Sequence, residues 1–191
     1  MRRQAKRSDG LISVFVGTSL DGFIAREDGD LDWMQGPGGQ GAGDYGYADF
    51  MERIDALVMG RATFEKVLTF DGWPYAKKPV IVLTHRPLKI PATLPRTVEA
   101  MGGTPKQVVD RLAKRGLRRL YVDGGRTVQG FLSAGLVDEL IVSRLPVLIG
   151  RGIPLFGPLP ADVRLDHVQT RSFPGGVVQS KYKVKRARKR R

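Results

Sequence analysis

Short apolar runs alternate along this chain with stretches whose apolar positions recur every three or four residues, the pattern of an α/β domain. "LISVFVGTSL" at 11–20 predicts a buried first strand, ended by the turn Leu20-Asp21-Gly22, where Asp21 reads as a turn former. A Gly- and Asp-rich loop follows, then "DYGYADFMERI", which predicts a helix with Tyr47, Phe50, Met51 and Ile54 on one face. "DALVMG" at 55–60 predicts a second strand and "RATFEKVL" the helix directly after it. "KPVIVLTHRP" predicts a third strand, and "TPKQVVDRLAKRGL" a helix burying Val108, Leu112 and Leu117. "RRLYVDGG" predicts a fourth strand, followed by a helix over "TVQGFLSAGL" with Val128, Phe131, Leu132 and Leu136 inward. "VDELIVSRLPVLIG" predicts strand five. "VRLDHVQTRSFPGGVVQSKYKV" predicts two strands around Pro174-Gly175-Gly176. The expected architecture is a mostly parallel sheet flanked by helices and closed by a C-terminal antiparallel hairpin.

Charge changes this picture only at the ends. The net charge is +13, yet twelve of the 32 Lys and Arg residues fall within residues 1–7 and 181–191, where there is no acid. The remaining twenty bases face 19 acids, so the folded body is nearly neutral. The expected organisation is a basic tail over 1–10, one domain over 11–184 and a second basic tail over 185–191. Such tails bind nucleic acid in a salt-dependent way, but no aromatic-interleaved basic motif accompanies them, so nucleic acid is not the expected main partner. With no cysteine there are no disulfides or thiolate metal sites, and two separated histidines, His85 and His167, make no metal cluster. No apolar run reaches membrane-spanning length and no signal-type segment follows the basic start, so the expectation is a cytoplasmic protein with no membrane partner.

Candidate chemistry gathers where strands run into helices, the edge at which open α/β sheets bind ligands. "VMGRATFE" places Gly60, Arg61 and Thr63 after strand two, and "VLTHRP" places Thr84, His85 and Arg86 after strand three. "VDGGRT" places Gly124, Gly125, Arg126 and Thr127 after strand four. Each glycine alone is an ordinary turn residue, "GGRTVQG" is not the GxGxxG fingerprint, and no GxxxxGK[ST] occurs. Three successive junctions, each offering Arg and Thr, suit an extended ligand with more than one phosphate.

These stretches, together with "TSLDGFIA" and the continuation "VQGFLSAGLVDELIVSRLPVLIGRGIPLFG", resemble the dihydrofolate reductase superfamily. The likeness is closest to the branch shared with the reductase domain of riboflavin biosynthesis, and it runs over about residues 11–184. The resemblance implies a dihydrofolate-reductase-like three-layer fold, NADPH as hydride donor and a homodimer. It assigns Gly60, Arg61 and Thr63 to the adenosine-side phosphates, Thr84, His85 and Arg86 to the adenine ribose, and Gly124, Gly125, Arg126, Thr127 and Val128 to the pyrophosphate. Arg61 and Arg86 are suited to a 2′-phosphate, which favours NADPH over NADH.

On the substrate side, the loop from Ile24 to Asp44 would lie over the nicotinamide, and Trp33 matches a tryptophan near the substrate pocket or serves as a packing aromatic. The catalytic carboxylate that the resemblance implies is Asp49 by local context or Asp44 by its distance to Gly60; either is also what a helix start would carry. The departures matter. Phe23 stands where the riboflavin enzyme has a lysine after "SLDG", and "GRAT" replaces its "AGT" element. The folate enzymes' proline-rich pocket has no counterpart in "GPGGQGAGDYG". The expectation is an NADPH-dependent reductase of a small heterocyclic or carbonyl substrate. Two alternatives stand beside it. One is 5-amino-6-(5-phosphoribosylamino)uracil reductase, with Arg126 or Arg144 serving the phosphate. The other is a non-catalytic nucleotide-binding protein anchored by its basic tails.

Overall fold

The computed structural model describes residues 10–35 and 43–185; the two basic ends and the stretch 36–42 lie outside the described residues. Eight strands form one sheet in the order β5-β4-β3-β6-β1-β7-β10-β9. Their spans are β1 Leu11–Thr18, β3 Ala56–Gly60, β4 Val80–Leu83, β5 Val98–Met101, β6 Arg119–Asp123, β7 Glu139–Arg144, β9 Leu165–Ser172 and β10 Val178–Val184. The pairs from β5 through to β7 are parallel, and β10 runs antiparallel to both β7 and β9. Two short strands, β2 Phe23–Ala25 and β8 Ile153–Pro154, pair separately.

The inner strands are largely apolar on both sides because both sheet faces are covered. Ile12, Val14, Ala56, Val58, Leu120, Val122, Leu140 and Val142 face α3 Pro105–Lys114 and α4 Gly125–Ser133. The alternate residues Leu57, Met59, Val80, Val82, Tyr121 and Ile141 face α1 Tyr47–Glu52 and α2 Arg61–Val67. Helix, sheet and helix make the three layers expected of a dihydrofolate-reductase-like fold. The start of α3 is written in its sequence. The Thr104 hydroxyl accepts from Gln107 N–H, the Gln107 side chain accepts from Thr104 N–H, and Pro105 opens the helix where no donor is needed.

Three features were not legible beforehand. The segment "VEAM" forms the parallel edge strand β5 beside β4, although its alternation is weak. "VDELIVSRLPVLIG" is a strand only to Arg144; beyond it the chain turns back to pair β8 with β2. Asp21 fixes that turn by accepting from the backbone N–H groups of Ile149 and Gly150. On the α1 side, Glu139 is buried at 4% exposure and carries two cations, Arg53 from α1 at 2.9 Å and Lys181 from β10 at 2.7 Å.

Candidate active site

The C-terminal ends of β1, β3, β4 and β6 open on one cleft of about 1760 Å³. The three strand-end turns meet there: Gly60, Arg61 and Thr63, then Thr84, His85 and Arg86, then Gly124, Gly125, Arg126 and Thr127 all line it. The turns after the neighbouring strands β3 and β6 interlock reciprocally. A methyl group on Gly124 would overlap the Thr63 hydroxyl, and one on Gly60 would come to 2.9 Å from the Thr127 hydroxyl. Gly124 also holds φ at +86°, a conformation that side chains with a Cβ rarely adopt. Gly125 is closed in by Pro154 O, Ile153 and Ile24, so the small β2–β8 sheet is seated against the start of α4. Neither α4 nor α2 has a side-chain N-cap. The first N–H groups of α4 are therefore free for an anion, at the positive end of a nine-residue helix.

The cations here differ in their commitments. Arg61 donates to Glu65 at 2.7 Å and to the Pro87 carbonyl at 3.1 Å. Thr84 and Arg86 form a local turn, the Thr84 hydroxyl accepting from Arg86 N–H and donating to Arg86 O. The guanidinium of Arg86 has no partner among the described residues and lines the cleft. This donor set, with uncapped helical N–H groups, hydroxyls and guanidiniums at adjacent strand ends, fits a dinucleotide with several phosphates.

Asp123, at the end of β6, is the carboxyl that sequence reasoning passed over, although it stands directly before the two glycines. It lines the cleft, and its carboxylate accepts from Gly124 N–H at 2.8 Å. Burial raises its pKa to about 6, the Gly124 bond opposing this in part. Tyr47, Tyr75 and Tyr121 surround it, and burial first and the Asp123 charge second push all three hydroxyls well above their ordinary range. Tyr121 donates to the Phe15 carbonyl at 2.8 Å, which fixes the floor between β6 and β1.

The loop after β2 covers the other wall. Glu27, Asp28, Gly29, Leu31 and Met34 line the cleft, the last lying against Gly17. The loop is stapled by an Arg26–Asp32 pair at 2.6 Å and tied across to α2 by Lys66 and Asp30 at 2.9 Å. Lys66 first, then the Leu31 N–H, hold the Asp30 carboxyl below its ordinary range.

Four residues that the sequence offered for the site do not line the cleft. Trp33 does not line the cleft; it is buried beside Leu145 and Val177 in a satellite core, as the short 3-10 helix Asp32–Gln35 turns its neighbour Met34 to the cleft instead. The Trp33 indole N–H is buried without a partner among the described residues. Asp44 is an exposed capping residue that accepts from the N–H groups of Gly46 and Ala48, an arrangement that lowers its pKa. Asp49 opens on a different, smaller pocket on the outer flank of α1. Val128 is buried in the core beneath α4, and only its backbone belongs to the turn.

A cleft at the carboxyl edge of a parallel sheet, closed by a C-terminal hairpin, defines the dihydrofolate-reductase-like class. The fold superposes on dihydrofolate reductase from Enterococcus faecalis, solved in complex with NADP(H), with a TM-score of 0.61 over 92% of this chain and 96% of that one, at 17% identity. Within that class the chain belongs to the RibD C-terminal domain family, which matches residues 11–179. A crystal structure from Shewanella sp. PV-4, of a protein assigned to riboflavin biosynthesis, superposes with a TM-score of 0.86 at 38% identity, covering 92% of this chain and 99% of that one. YwjB of Bacillus subtilis, an uncharacterized protein, is 34% identical over 172 residues, 88% of this chain and 95% of its own. Among the described residues no helix is long and apolar enough to cross a membrane.

Proposed function

We propose that the chain is an NADPH-dependent reductase of a small heterocyclic or carbonyl substrate. The observation that carries this reading is the reciprocal interlock of Gly60 with Thr127 and Gly124 with Thr63 beneath an uncapped helix. It brings backbone donors and hydroxyls from two adjacent strands to one edge of a cleft whose floor holds a protonatable carboxyl. The pyrophosphate is assigned to the N–H groups of Gly125, Arg126 and Thr127, and the 2′-phosphate to Arg86 with Arg61 beside it. Bound there, NADPH supplies a hydride to an electrophilic carbon of the substrate. Asp123 holds a proton on its carboxyl for the substrate heteroatom that gains the electron pair. Phe15, Met34, Tyr75 and Tyr121 wall the reacting region and exclude water.

The family match favours one specific version, a pyrimidine reductase of the riboflavin pathway. Against its phosphorylated substrate stand Phe23 in place of the lysine and the commitment of Arg61 and Lys66 to Glu65 and Asp30. Calorimetry with NADPH and NADH tests the cofactor; no heat with either ends the oxidoreductase reading. NADPH oxidation with 5-amino-6-(5-phosphoribosylamino)uracil, with dihydrofolate and with neutral heterocyclic carbonyls then sorts the substrates. A homodimer in the cytoplasm is part of the proposal, and sedimentation measures the first half of it.

A further inference from the structure

Beside α1, a second pocket of about 280 Å³ lies between that helix and the hairpin strands β9 and β10. Its apolar lining is Phe15, Phe50 and Ile141, with Tyr45 beside them. Phe15 and Phe50 are in ring contact at 4.9 Å. Its polar groups are Arg53, Lys181, Arg171, Asp49, Gln169 and Gln179.

These groups are ordered to different degrees. Arg53 is pinned twice, over the Phe50 ring at 5.1 Å and against Glu139 at 2.9 Å. Lys181 takes the second oxygen of the same buried carboxylate at 2.7 Å. One acid below the surface thus holds two cations in the pocket wall, and their order is set before any ligand arrives. Gln179 is fixed by the Tyr45 carbonyl and the Ser143 hydroxyl. Arg171 and Gln169, side by side on one face of β9, have no polar partner among the described residues, and all eight side chains of that strand are exposed. Arg53, Lys181 and Arg171 outnumber Glu139 and Asp49 by one, so the pocket has a single positive charge to spare.

We propose that this pocket binds a small aryl monoanion, its ring against the partly exposed Phe15, which Phe50 and Ile141 back, and its carboxylate on Arg171 and Gln169. The aromatic walls select a flat apolar body over a sugar or an inorganic anion. The planar guanidinium of Arg171 matches a carboxylate in a paired geometry. A single surplus charge suits a monoanion better than a phosphate dianion. The site is separate from the cofactor edge but not isolated from the cleft, because Phe15 walls both and its carbonyl accepts the Tyr121 hydroxyl.

Benzoate and benzyl alcohol, titrated against the full chain and followed by amide chemical shifts, test this without cofactor. Benzoate should bind saturably, one per chain, and shift residues around Phe15 and Arg171, whereas benzyl alcohol should not. Arg171→Gln should weaken benzoate by about tenfold, the worth of one charge-assisted contact, while leaving the thermal midpoint and NADPH affinity alone. Arg171→Lys should recover part of the loss. Absence of saturable binding, or affinity indifferent to Arg171→Gln, overturns the assignment. So does a chain that sediments as a dimer, fails to bind benzoate and dissociates on Arg171→Gln, for the surface would then be covered by a second copy.

Discussion

Gly124 and Thr63 occupy space that only one of them can fill: the hydroxyl of the threonine after β3 stands where a side chain on the glycine after β6 would begin. The positive φ of Gly124 adds a second obstacle to any other residue. Gly124→Ala should therefore cost about 1–3 kcal/mol from backbone strain alone, with overlap in addition. Urea unfolding gives the loss directly. Thr63→Ser keeps the hydroxyl and should leave stability within about 1 kcal/mol. If Gly124→Ala is as stable as the parent, the two turns are not locked together as described.

The guanidiniums of Arg61 and Arg86 should differ in their effect on cofactor choice. Arg61 is already engaged by Glu65 and the Pro87 carbonyl, whereas Arg86 is free to meet a 2′-phosphate. Arg86→Gln should lower NADPH affinity by about tenfold or more and leave NADH nearly unchanged. Arg61→Gln should move the ratio less. Equal losses for both cofactors would place Arg86 away from the 2′-phosphate.

What could be read in the sequence was whatever depends on local pattern. The central parallel strands announced themselves because a strand covered on both faces is largely apolar, whereas the edge strand β5 did not, and the α3 capping box needs only four adjacent residues. The strand-end turns were equally legible, since glycine beside Arg and Thr marks close approach at a helix start. The substrate side was not. Asp44 and Asp49 differ in role through helix phase and capping, and Asp123 matters because the fold buries its carboxyl at the strand end, within electrostatic reach of Tyr47, Tyr75 and Tyr121 from three distant segments. Trp33, which the sequence left open between pocket and packing, faces a core, while its neighbour Met34 faces the cleft, a difference of one position in a short 3-10 turn.

The buried carboxylate of Glu139 joins three elements, taking Arg53 from the C-terminal cap of α1, Lys181 from β10 and the Ser13 hydroxyl from β1. Glu139→Gln leaves two cations beside an amide that cannot neutralise them. The expected cost is about 3 kcal/mol, at the lower end for broken buried pairs because both cations keep some contact with water. Arg53→Met combined with Glu139→Gln should cost less than the sum of the single changes, since each removes what the other would leave unpaired. Additive losses in denaturant would mean the network is not coupled.

Asp123 should give the protein a pH dependence opposite in sign to that of an ordinary paired acid. Its folded pKa, about 6, lies above the value of 3.8 that it has without the fold. The native state thus binds this proton more tightly than the unfolded chain does. The resulting stability is complete below the unfolded value and is lost as pH rises through about 6. Two pK units correspond to about 3 kcal/mol. Asp123→Asn keeps the acceptor for Gly124 N–H but cannot ionise. It should raise the thermal midpoint by several degrees at neutral pH, and the gain should vanish near pH 4. Turnover should report the same group. If Asp123 delivers the proton that completes hydride addition, the wild-type rate falls as pH rises through about 6, and the variant's lower rate no longer follows that curve. Melting curves that run parallel for the two proteins across this range would show that burial does not hold the proton on Asp123, and would remove it from the mechanism.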